Sequence, residues 1–402
     1  LLRRMAGRSP RQVSDLEALE TLLGRRLRIS PSQLEKYYTC RYGYFLQYVL
    51  GLRPRKRAEL SADQSGTLMH WVLQMALDPH PGPDNPCAGL QPFLDLDDEA
   101  MAALAGLLVD EYAKRYLPED TARFAYLLSR LKKSMTGLLC YLRDEQRQSS
   151  FKPVACELKI GPGADAVRGQ TYRLSDGRTV QLIGTVDRAD EWIEDDGTRW
   201  VRVVDYKTGR KSFDLTEVWH GLGLQMLLYM FALKSSGSDI LGDRPVAAGV
   251  QYFPARAPYL TSDGKLTAEE AEQERISKWK RKGLLLNDED VLQAIEPGDA
   301  PKRMCYSVKK DGTISGDLAD RQQLKLLEGY VFRILSRLVE DIVSGNVEPN
   351  PYTRGSTHDA CRFCPYGPVC HPAAVEGRRS YKMMDAQRFW EEIGKEMGDH
   401  GG

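Results

Sequence analysis

The fold is decided by two stretches of sequence, Gly184-Thr-Val-Asp-Arg188 and Trp200-Val-Arg-Val-Val-Asp-Tyr-Lys-Thr-Gly209, on either side of the acidic turn Glu194-Asp-Asp-Gly197. Apolar and polar residues alternate through both stretches, and alternation around an Asp-Gly turn predicts a β-hairpin. A predicted helix of about twenty residues, 215–233, and a short apolar run, 246–253, follow. A strand, a helix and a second strand in this order predict a βαβ crossover.

The hairpin also gathers charged side chains. Asp205 and Lys207 are two residues apart on the second strand, so both project from the same face. Asp187 is predicted to end the first strand, which would bring two carboxylates together beside one ammonium group. Converging carboxylates suit Mg²⁺ or Mn²⁺, and a lysine can orient water or stabilise the transition state of phosphodiester hydrolysis. His70, in the early run Gly66-Thr-Leu-Met-His70, could add a nitrogen ligand that favours Mn²⁺.

Each of these residues also has a simpler explanation. An Asp/Lys pair on an exposed strand is commonly surface decoration, and a lone histidine is more often structural than a ligand. Gln225 and Tyr229 share a helix face with apolar residues and could form only a partly buried polar edge. Glu157, in a predicted strand that begins near Pro153, is expected to face a polar edge. The order of these residues along the chain, rather than any one of them, favours a catalytic site.

Eight cysteines divide into a cluster and scattered single residues. The cluster is Cys361-Arg-Phe-Cys-Pro-Tyr-Gly-Pro-Val-Cys370, a C-x2-C-x5-C run with three thiols, whereas iron–sulfur and zinc sites usually take four. Cys40, in an aromatic helix predicted to begin at the capping box of Ser30 and Gln33, is the best candidate for the fourth. A single C-x2-C pair with one further cysteine nearby and one remote cysteine fits an iron–sulfur cluster better than a zinc site. Zinc is the alternative cofactor. The remaining cysteines are expected to be small buried hydrophobes: Cys87, Cys140, Cys156 and Cys305.

Composition narrows the class of protein. The 402 residues carry 56 Lys+Arg and 56 Asp+Glu, so the formal net charge is zero and does not indicate a polyanionic partner. The first residues lack the apolar core of a signal peptide, and no apolar run approaches the roughly 18 residues of a membrane span. Without a secretory context, the cysteines argue against a disulfide framework. The chain is therefore expected to be soluble and cytoplasmic.

The order of motifs along the chain resembles the RecB-like branch of the PD-(D/E)xK nucleases. The agreement runs through G-x-x-x-H at 66–70, G-x-x-D-R at 184–188, D-Y-K-T-G at 205–209 and Q-x-x-x-Y at 225–229. Within that branch, the chain is most similar to the C-terminal nuclease domain of the AddB-type subunits of bacterial helicase–nucleases. This similarity extends over roughly residues 28–371.

The resemblance implies a role for each matching residue. The implied catalytic residues are His70, Asp187, Asp205 and Lys207, of which the first three would hold Mg²⁺ or Mn²⁺. Gln225 and Tyr229 would position the DNA strand. The implied ligands of a [4Fe–4S] cluster are Cys40, Cys361, Cys364 and Cys370. One departure, Cys40-Arg-Tyr where such domains usually have Cys-Pro-Phe, retains the ligand but changes the two residues that follow it.

The resemblance also implies an architecture. The fold would be α/β, with a central mixed sheet of the restriction-endonuclease type flanked by helices. Residues 28–375 would form the nuclease domain, with a helical insertion at about 97–149 and an iron–sulfur clasp joining its two ends. Residues 1–27 would be a linker from an upstream region, and residues 376–402 would be a C-terminal tail.

The implied function is Mg²⁺-dependent exonucleolytic hydrolysis of DNA. The substrate would be the 5′-terminated strand released from duplex ends during double-strand break repair in the bacterial cytoplasm. The partner would be an AddA-type helicase–nuclease subunit in a heterodimer. Two alternatives stay open: a stand-alone exonuclease of the kind used in CRISPR adaptation, and a non-catalytic iron–sulfur module that binds DNA ends. The joint presence of a lysine and both aspartates weighs against a vestigial site.

Overall fold

The computed structural model describes residues 12–24, 26–53, 62–117, 122–163, 165–173, 177–209, 211–242, 245–255, 267–355, 358–371 and 377–398. Its helices are α1 (Leu16–Leu23), α2 (Pro31–Thr39), α3 (Arg41–Tyr44), α4 (Ala62–Leu77), α5 (Asp98–Tyr116), α6 (Ala122–Gln148), α7 (Leu215–Trp219), α8 (Gln225–Ser236), α9 (Ser238–Leu241), α10 (Ala268–Lys278), α11 (Glu289–Ile295), α12 (Arg321–Val343), α13 (Gly367–Cys370) and α14 (Ala386–Gly398). Its strands are β1 (Arg26–Ile29), β2 (Lys152–Ile160), β3 (Thr171–Arg173), β4 (Thr179–Leu182), β5 (Gly184–Ile193), β6 (Arg199–Lys207), β7 (Val246–Pro254), β8 (Lys282–Leu286), β9 (Tyr306–Val308), β10 (Ile314–Gly316), β11 (Leu318–Ala319), β12 (Tyr352–Arg354), β13 (His358–Asp359) and β14 (Arg379–Ser380).

The central sheet has six strands in the order β11-β8-β7-β6-β5-β2. The predicted hairpin is β5 and β6, which pair antiparallel with Trp192 opposite Trp200. β6 and β7 pair in parallel, as a βαβ crossover requires, and the remaining pairs are antiparallel except for β8 with β11. The predicted α/β fold with a central mixed sheet is confirmed.

The crossover between β6 and β7 does not contain one long helix, so the prediction of a single helix over 215–233 is wrong. It contains α7 and α8, separated by a turn in which Gly221 and Gly223 have φ angles of 80° and 65°. These left-handed conformations favour glycine and interrupt the helix. A Cβ on Gly221 would also lie 2.5 Å from the ring of Tyr38, so the turn packs directly on α2.

Hydrophobic residues cover both faces of the sheet. Val203 belongs to a cluster built with α2, α8, α12 and α14, whereas Val204 and Tyr206 belong to a second cluster built with α4, α5 and α6. Alternate residues of β6 therefore face different cores, as the two-residue period of a strand requires. The sheet is held from both sides, which fixes the position of side chains at its strand ends.

The expected insertion and the expected terminal segments fall partly on described residues. α5 and α6 pack against each other within the insertion expected at 97–149, of which residues 118–121 lie outside the described ranges. Of the expected linker, α1 packs on α12 through the buried Leu19, and residues 1–11 and 25 are not described. In the expected tail, α14 packs on α12 with Phe389 and Ile393 fully buried, and residues 376 and 399–402 are not described.

No helix in the described part of the chain is both long enough and apolar enough to cross a membrane.

Candidate active site

Three carboxylates stand in one row across the strands β2, β5 and β6. The ladder pairs Arg188 with Val204, so the next residues along, Asp187 and Asp205, face each other. The ladder between β2 and β5 pairs Cys156 with Arg188 on one side of Glu157 and continues on its other side, which places Glu157 opposite Asp187. Asp187 is the fourth residue of β5 and does not end the strand, contrary to the prediction.

His70 reaches this row from α4, which packs against β2 and β5. Its Nδ1 lies 3.5 Å from Oδ2 of Asp187 and 3.8 Å from Oε1 of Glu157. Its Nε2 lies 3.0 Å from the carbonyl oxygen of Tyr206, which accepts the hydrogen bond. One nitrogen and two carboxylate oxygens, from His70, Glu157 and Asp187, lie within 4.8 Å of one another and could hold a metal ion.

Burial makes these groups costly to ionise together. Burial, followed by the negative charge of Asp205, raises the pKa of Asp187 to about 7. Burial also raises the pKa of Asp205, although Lys207 opposes the shift. Burial disfavours protonation of His70, yet the nearby carboxylates of Glu157 and Asp187 raise the pKa of the imidazole. The site therefore favours a cation among its carboxylates, either protons or a metal ion.

Lys207 lies beside Asp205, as the two-residue spacing predicted. Its Nζ is 2.7 Å from Oδ2 of Asp205, and its side chain is 31% exposed whereas that of Asp205 is 3% exposed. The ammonium also lies 5.9 Å from the ring centre of Tyr252 on β7. Lys207 thus has its stem against the sheet and its charge at the rim, where a phosphate could reach it.

The G-x-x-D and Q-x-x-x-Y motifs meet at the start of β5. A Cβ on Gly184 would lie 2.4 Å from the hydroxyl oxygen of Tyr229, so only glycine leaves room for that ring. The Tyr229 hydroxyl accepts a hydrogen bond from the backbone N–H of Thr185 at 3.3 Å, and the side chain of Gln225 bonds to it as well. Tyr229 is 5% exposed, so in this structure it supports the strand that carries Asp187.

The opposite face of the hairpin is fixed by a buried ion network. Arg188 pairs with Asp190 at 2.7 Å, and Arg202 pairs with the same carboxylate at 2.9 Å. Glu145 of α6 lies 3.8 Å from Arg202 and pairs with Arg281. All five side chains are at most 2% exposed. Because removing one partner from such a network leaves a buried charge unpaired, the network holds α6 against β5 and β6.

The four cysteines that the sequence grouped together line one small cavity. Cys361, Cys364 and Cys370 surround it in a loop where the Cys364 N–H donates to the Cys361 carbonyl. Cys40 lies in extended backbone between α2 and α3, so its prediction as a helical residue is wrong. Burial raises the pKa of the Cys361 thiol to about 11, and the neighbouring Cys40 and Cys364 add to the shift.

Comparison with models of known protein families identifies the family of this chain. The family model described as the PD-(D/E)XK nuclease superfamily matches residues 28–371. The chain belongs to this superfamily. PD-(D/E)XK nucleases use a divalent metal ion, and the cluster of His70, Glu157 and Asp187 could hold it.

The chain is also similar to curated proteins, each named as the B subunit of an ATP-dependent helicase/deoxyribonuclease. The protein of Moorella thermoacetica is 33% identical over 365 residues, which cover 88% of this chain and 31% of the relative. Those of Acetivibrio thermocellus and Clostridium kluyveri are 31% and 29% identical, covering 92% and 95% of this chain but 32% and 33% of the relatives. The chain thus spans about a third of the length of the curated relatives it matches.

The residues present fit both cofactors that the PD-(D/E)XK resemblance implied, a divalent metal ion and an iron–sulfur cluster. Oδ2 of Asp205 is buried and pairs with the Lys207 ammonium at 2.7 Å, the one close partner it has among the residues that the structure describes. The cluster of His70, Glu157 and Asp187 offers a place for a second cation beside this pair. Four cysteines around one cavity match the ligand count of an iron–sulfur cluster or a structural zinc ion.

The structure adds one residue that the sequence analysis placed elsewhere. Glu157 was expected at a polar edge, but it lies in the acidic row, 3.8 Å from His70. Its backbone has a φ angle of 50°, a left-handed conformation that few non-glycine residues adopt. Strain of this kind is often found at functional sites. The alternation of β2 gave no signal for it, because the register with β5 determines which residue meets Asp187.

Proposed function

We propose that this chain is a divalent-metal-dependent deoxyribonuclease domain. The observation that carries the proposal is the meeting of Asp187 and Asp205 across β5 and β6 with the Lys207 ammonium 2.7 Å from Asp205. Two buried carboxylates and one lysine supply the charges that phosphodiester hydrolysis requires. Membership of the PD-(D/E)XK superfamily supports the same chemistry.

The metal ligands would be His70, Asp187 and Asp205, with Glu157 as a further oxygen ligand. Carboxylate oxygens suit Mg²⁺, and the added imidazole nitrogen favours Mn²⁺. When bound, the ion supplies Lewis-acid catalysis of phosphodiester hydrolysis. The protein's contribution is to hold the ligands on three strands and one helix that are packed from both sides.

Lys207 would act on the substrate directly. Its partly exposed ammonium can donate hydrogen bonds to a phosphate oxygen or orient the attacking water, while Asp205 keeps its position. Gln225, half-buried at the start of α8, would contact the DNA strand. Tyr229 would keep Gln225 and β5 in a fixed relation through its hydrogen bonds to both.

The relatives' names support DNA as the substrate, and the resemblance described above implies the strand that is cut and the partner. Those proteins are named as the B subunits of helicase/deoxyribonucleases, and this chain matches about a third of their length. We propose that it hydrolyses the 5′-terminated DNA strand exposed at processed duplex ends. It would do so within an AddAB-type heterodimer, together with an AddA-type partner, in recombinational repair in the bacterial cytoplasm.

The cavity of Cys40, Cys361, Cys364 and Cys370 would hold a [4Fe–4S] cluster. Zinc is the alternative, since a tetrahedral site of four thiolates suits both. The ultraviolet–visible spectrum of anaerobically purified protein separates them, because an iron–sulfur cluster absorbs visible light and a zinc ion does not. A colourless protein that contains zinc would contradict the cluster.

Cleavage of end-labelled single-stranded DNA with Mg²⁺ or Mn²⁺ tests the nuclease assignment. Asp205→Ala and Lys207→Ala should each abolish cleavage while the chain stays folded and binds DNA, because they remove several kcal/mol of electrostatic stabilisation without touching either core. Lys395→Ala, on the exposed face of α14, removes a similar charge from a helix that contributes no residue to the acidic row, and it should leave the rate unchanged. An Asp205→Ala variant that cleaves at the parental rate would contradict the assignment, as would a parent chain inactive with both metals.

A further inference from the structure

We infer that Lys36 is the cation that balances the charge of the iron–sulfur cluster and sets its reduction potential. This inference rests on the cluster proposed above. Lys36 lies in the last turn of α2, four residues before Cys40. A Cβ built on Gly43 would lie 3.2 Å from Cε of Lys36, 3.5 Å from its Nζ and 3.7 Å from Cβ of Cys40. The end of the lysine side chain and the cysteine therefore meet at Gly43.

The ammonium of Lys36 also contacts the second half of the cysteine cavity. Its Nζ lies 5.4 Å from the ring centre of Tyr366, close enough for a cation–π interaction. Gly43 and Tyr366 both line the cavity together with the four cysteines. Lys36 therefore packs against the wall of the cavity on the side of Cys40 and on the side of the C-terminal loop.

Lys36 has no anionic partner among the residues that the structure describes. Other cations near the cavity are paired: Arg41 lies 2.7 Å from Asp341, and Arg378 lies 2.9 Å from Asp359. A half-buried ammonium without a carboxylate is unfavourable unless another negative charge lies close by. A cluster held by four thiolates is anionic, so an occupied cavity supplies that charge.

The position of this charge has a direct consequence for the cluster. Reduction adds one electron to an already negative group, and a nearby cation stabilises the reduced form more than the oxidised form. Because Lys36 is half-buried, water screens its charge less than that of a surface lysine. The positive charge should therefore raise the reduction potential, and it should also slow the loss of iron by stabilising the thiolates.

The test compares three variants of the reconstituted chain by iron content and by midpoint potential in an anaerobic redox titration. Lys36→Met removes the charge and keeps a stem that packs beside Gly43, Lys36→Arg keeps the charge, and Lys382→Met removes an exposed charge near the C-terminus. We expect Lys36→Met to shift the reduction equilibrium about tenfold toward the oxidised cluster, which for one electron is about 59 mV. Lys36→Arg and Lys382→Met should stay near the parental value.

A parental potential in Lys36→Met would overturn the inference and leave the cluster itself untouched. If Lys36→Met is isolated without iron, the arginine variant decides the matter. Retention of the cluster by Lys36→Arg supports a role for the positive charge. Loss of the cluster in Lys36→Arg as well would show that the shape of the lysine side chain, and not its charge, retains the cluster, and this would overturn the inference. A parent chain without iron–sulfur absorption would instead refute the proposed cofactor.

Discussion

Replacing Asp187 with asparagine should stabilise the metal-free protein at neutral and alkaline pH. The Asp187 side chain is only 10% exposed, and burial together with the charge of Asp205 raises its pKa to about 7. In an unfolded chain an aspartate has a pKa of about 3.9. The folded state therefore holds the proton more tightly, and stability from this group is lost as the pH rises through about 4 to about 7.

The pKa difference sets an upper limit for the effect. About three pKa units correspond to roughly 4 kcal/mol of destabilisation once the pH exceeds the folded pKa. Asparagine keeps an oxygen that can accept the 2.8 Å hydrogen bond from the Tyr206 N–H, but its amide hydrogens must find acceptors beside His70. We therefore expect a net gain of roughly 1–2 kcal/mol at pH 8 and no gain at pH 5.

Thermal unfolding in EDTA between pH 5 and pH 8 measures this gain. Asp195→Asn makes the same chemical change at an exposed position of the hairpin turn and serves as the control. Adding Mn²⁺ should raise the melting temperature of the parent chain, because a bound ligand stabilises the folded state, and should leave Asp187→Asn unchanged. The reasoning is refuted if Asp187→Asn is no more stable than the parent at pH 8 in EDTA, or if its advantage is equal at pH 5.

Three further predictions concern the motifs around the site. Cys40→Ser should lose iron and lower the melting temperature about as much as a substitution within the C-x2-C-x5-C run. Cys87→Ser should change little, and a full complement of iron in Cys40→Ser would exclude Cys40 as a ligand. Gly184→Ala should destabilise the chain by about 1–3 kcal/mol in urea unfolding, because the added methyl group would meet the ring of Tyr229. The same substitution should cost much less in a Tyr229→Ala background, where that ring is absent. Glu157→Gln should weaken Mn²⁺ binding by about tenfold in calorimetric titration, and an unchanged affinity would remove Glu157 from the site.

Local patterns were enough to predict the hairpin, the crossover and the shared face of Asp205 and Lys207. These features depend on alternation and on a turn, which neighbouring residues determine. The helix over 215–233 was predicted wrongly because its apolar residues continue through Gly221 and Gly223. Contact of that turn with α2 decides its conformation, and such contact is invisible in the local sequence.

Glu157 shows the limit of pattern reasoning at the site itself. Its alternation in β2 is ordinary, and nothing in its neighbours signals a left-handed backbone. A register shift near Pro153 and the pairing with β5 bring it opposite Asp187, and both are long-range properties. Spacing alone grouped Cys361, Cys364 and Cys370, whereas no local spacing links His70 to Asp187, because 117 positions separate them.

The cysteine cavity has a consequence for the order in which the molecule is made. Cys40 and Cys361 are separated by some 320 residues, so a ribosome that adds about 5–20 residues per second needs roughly 15–60 s between them. During that interval β2, β5 and β6 are synthesised, while the other three cysteines of the cavity are not yet available to Cys40. The wall of the cavity is completed only when the loop at 361–370 emerges. Insertion of the proposed cluster would therefore be a late event of biosynthesis that follows the synthesis of the strands that carry the acidic row.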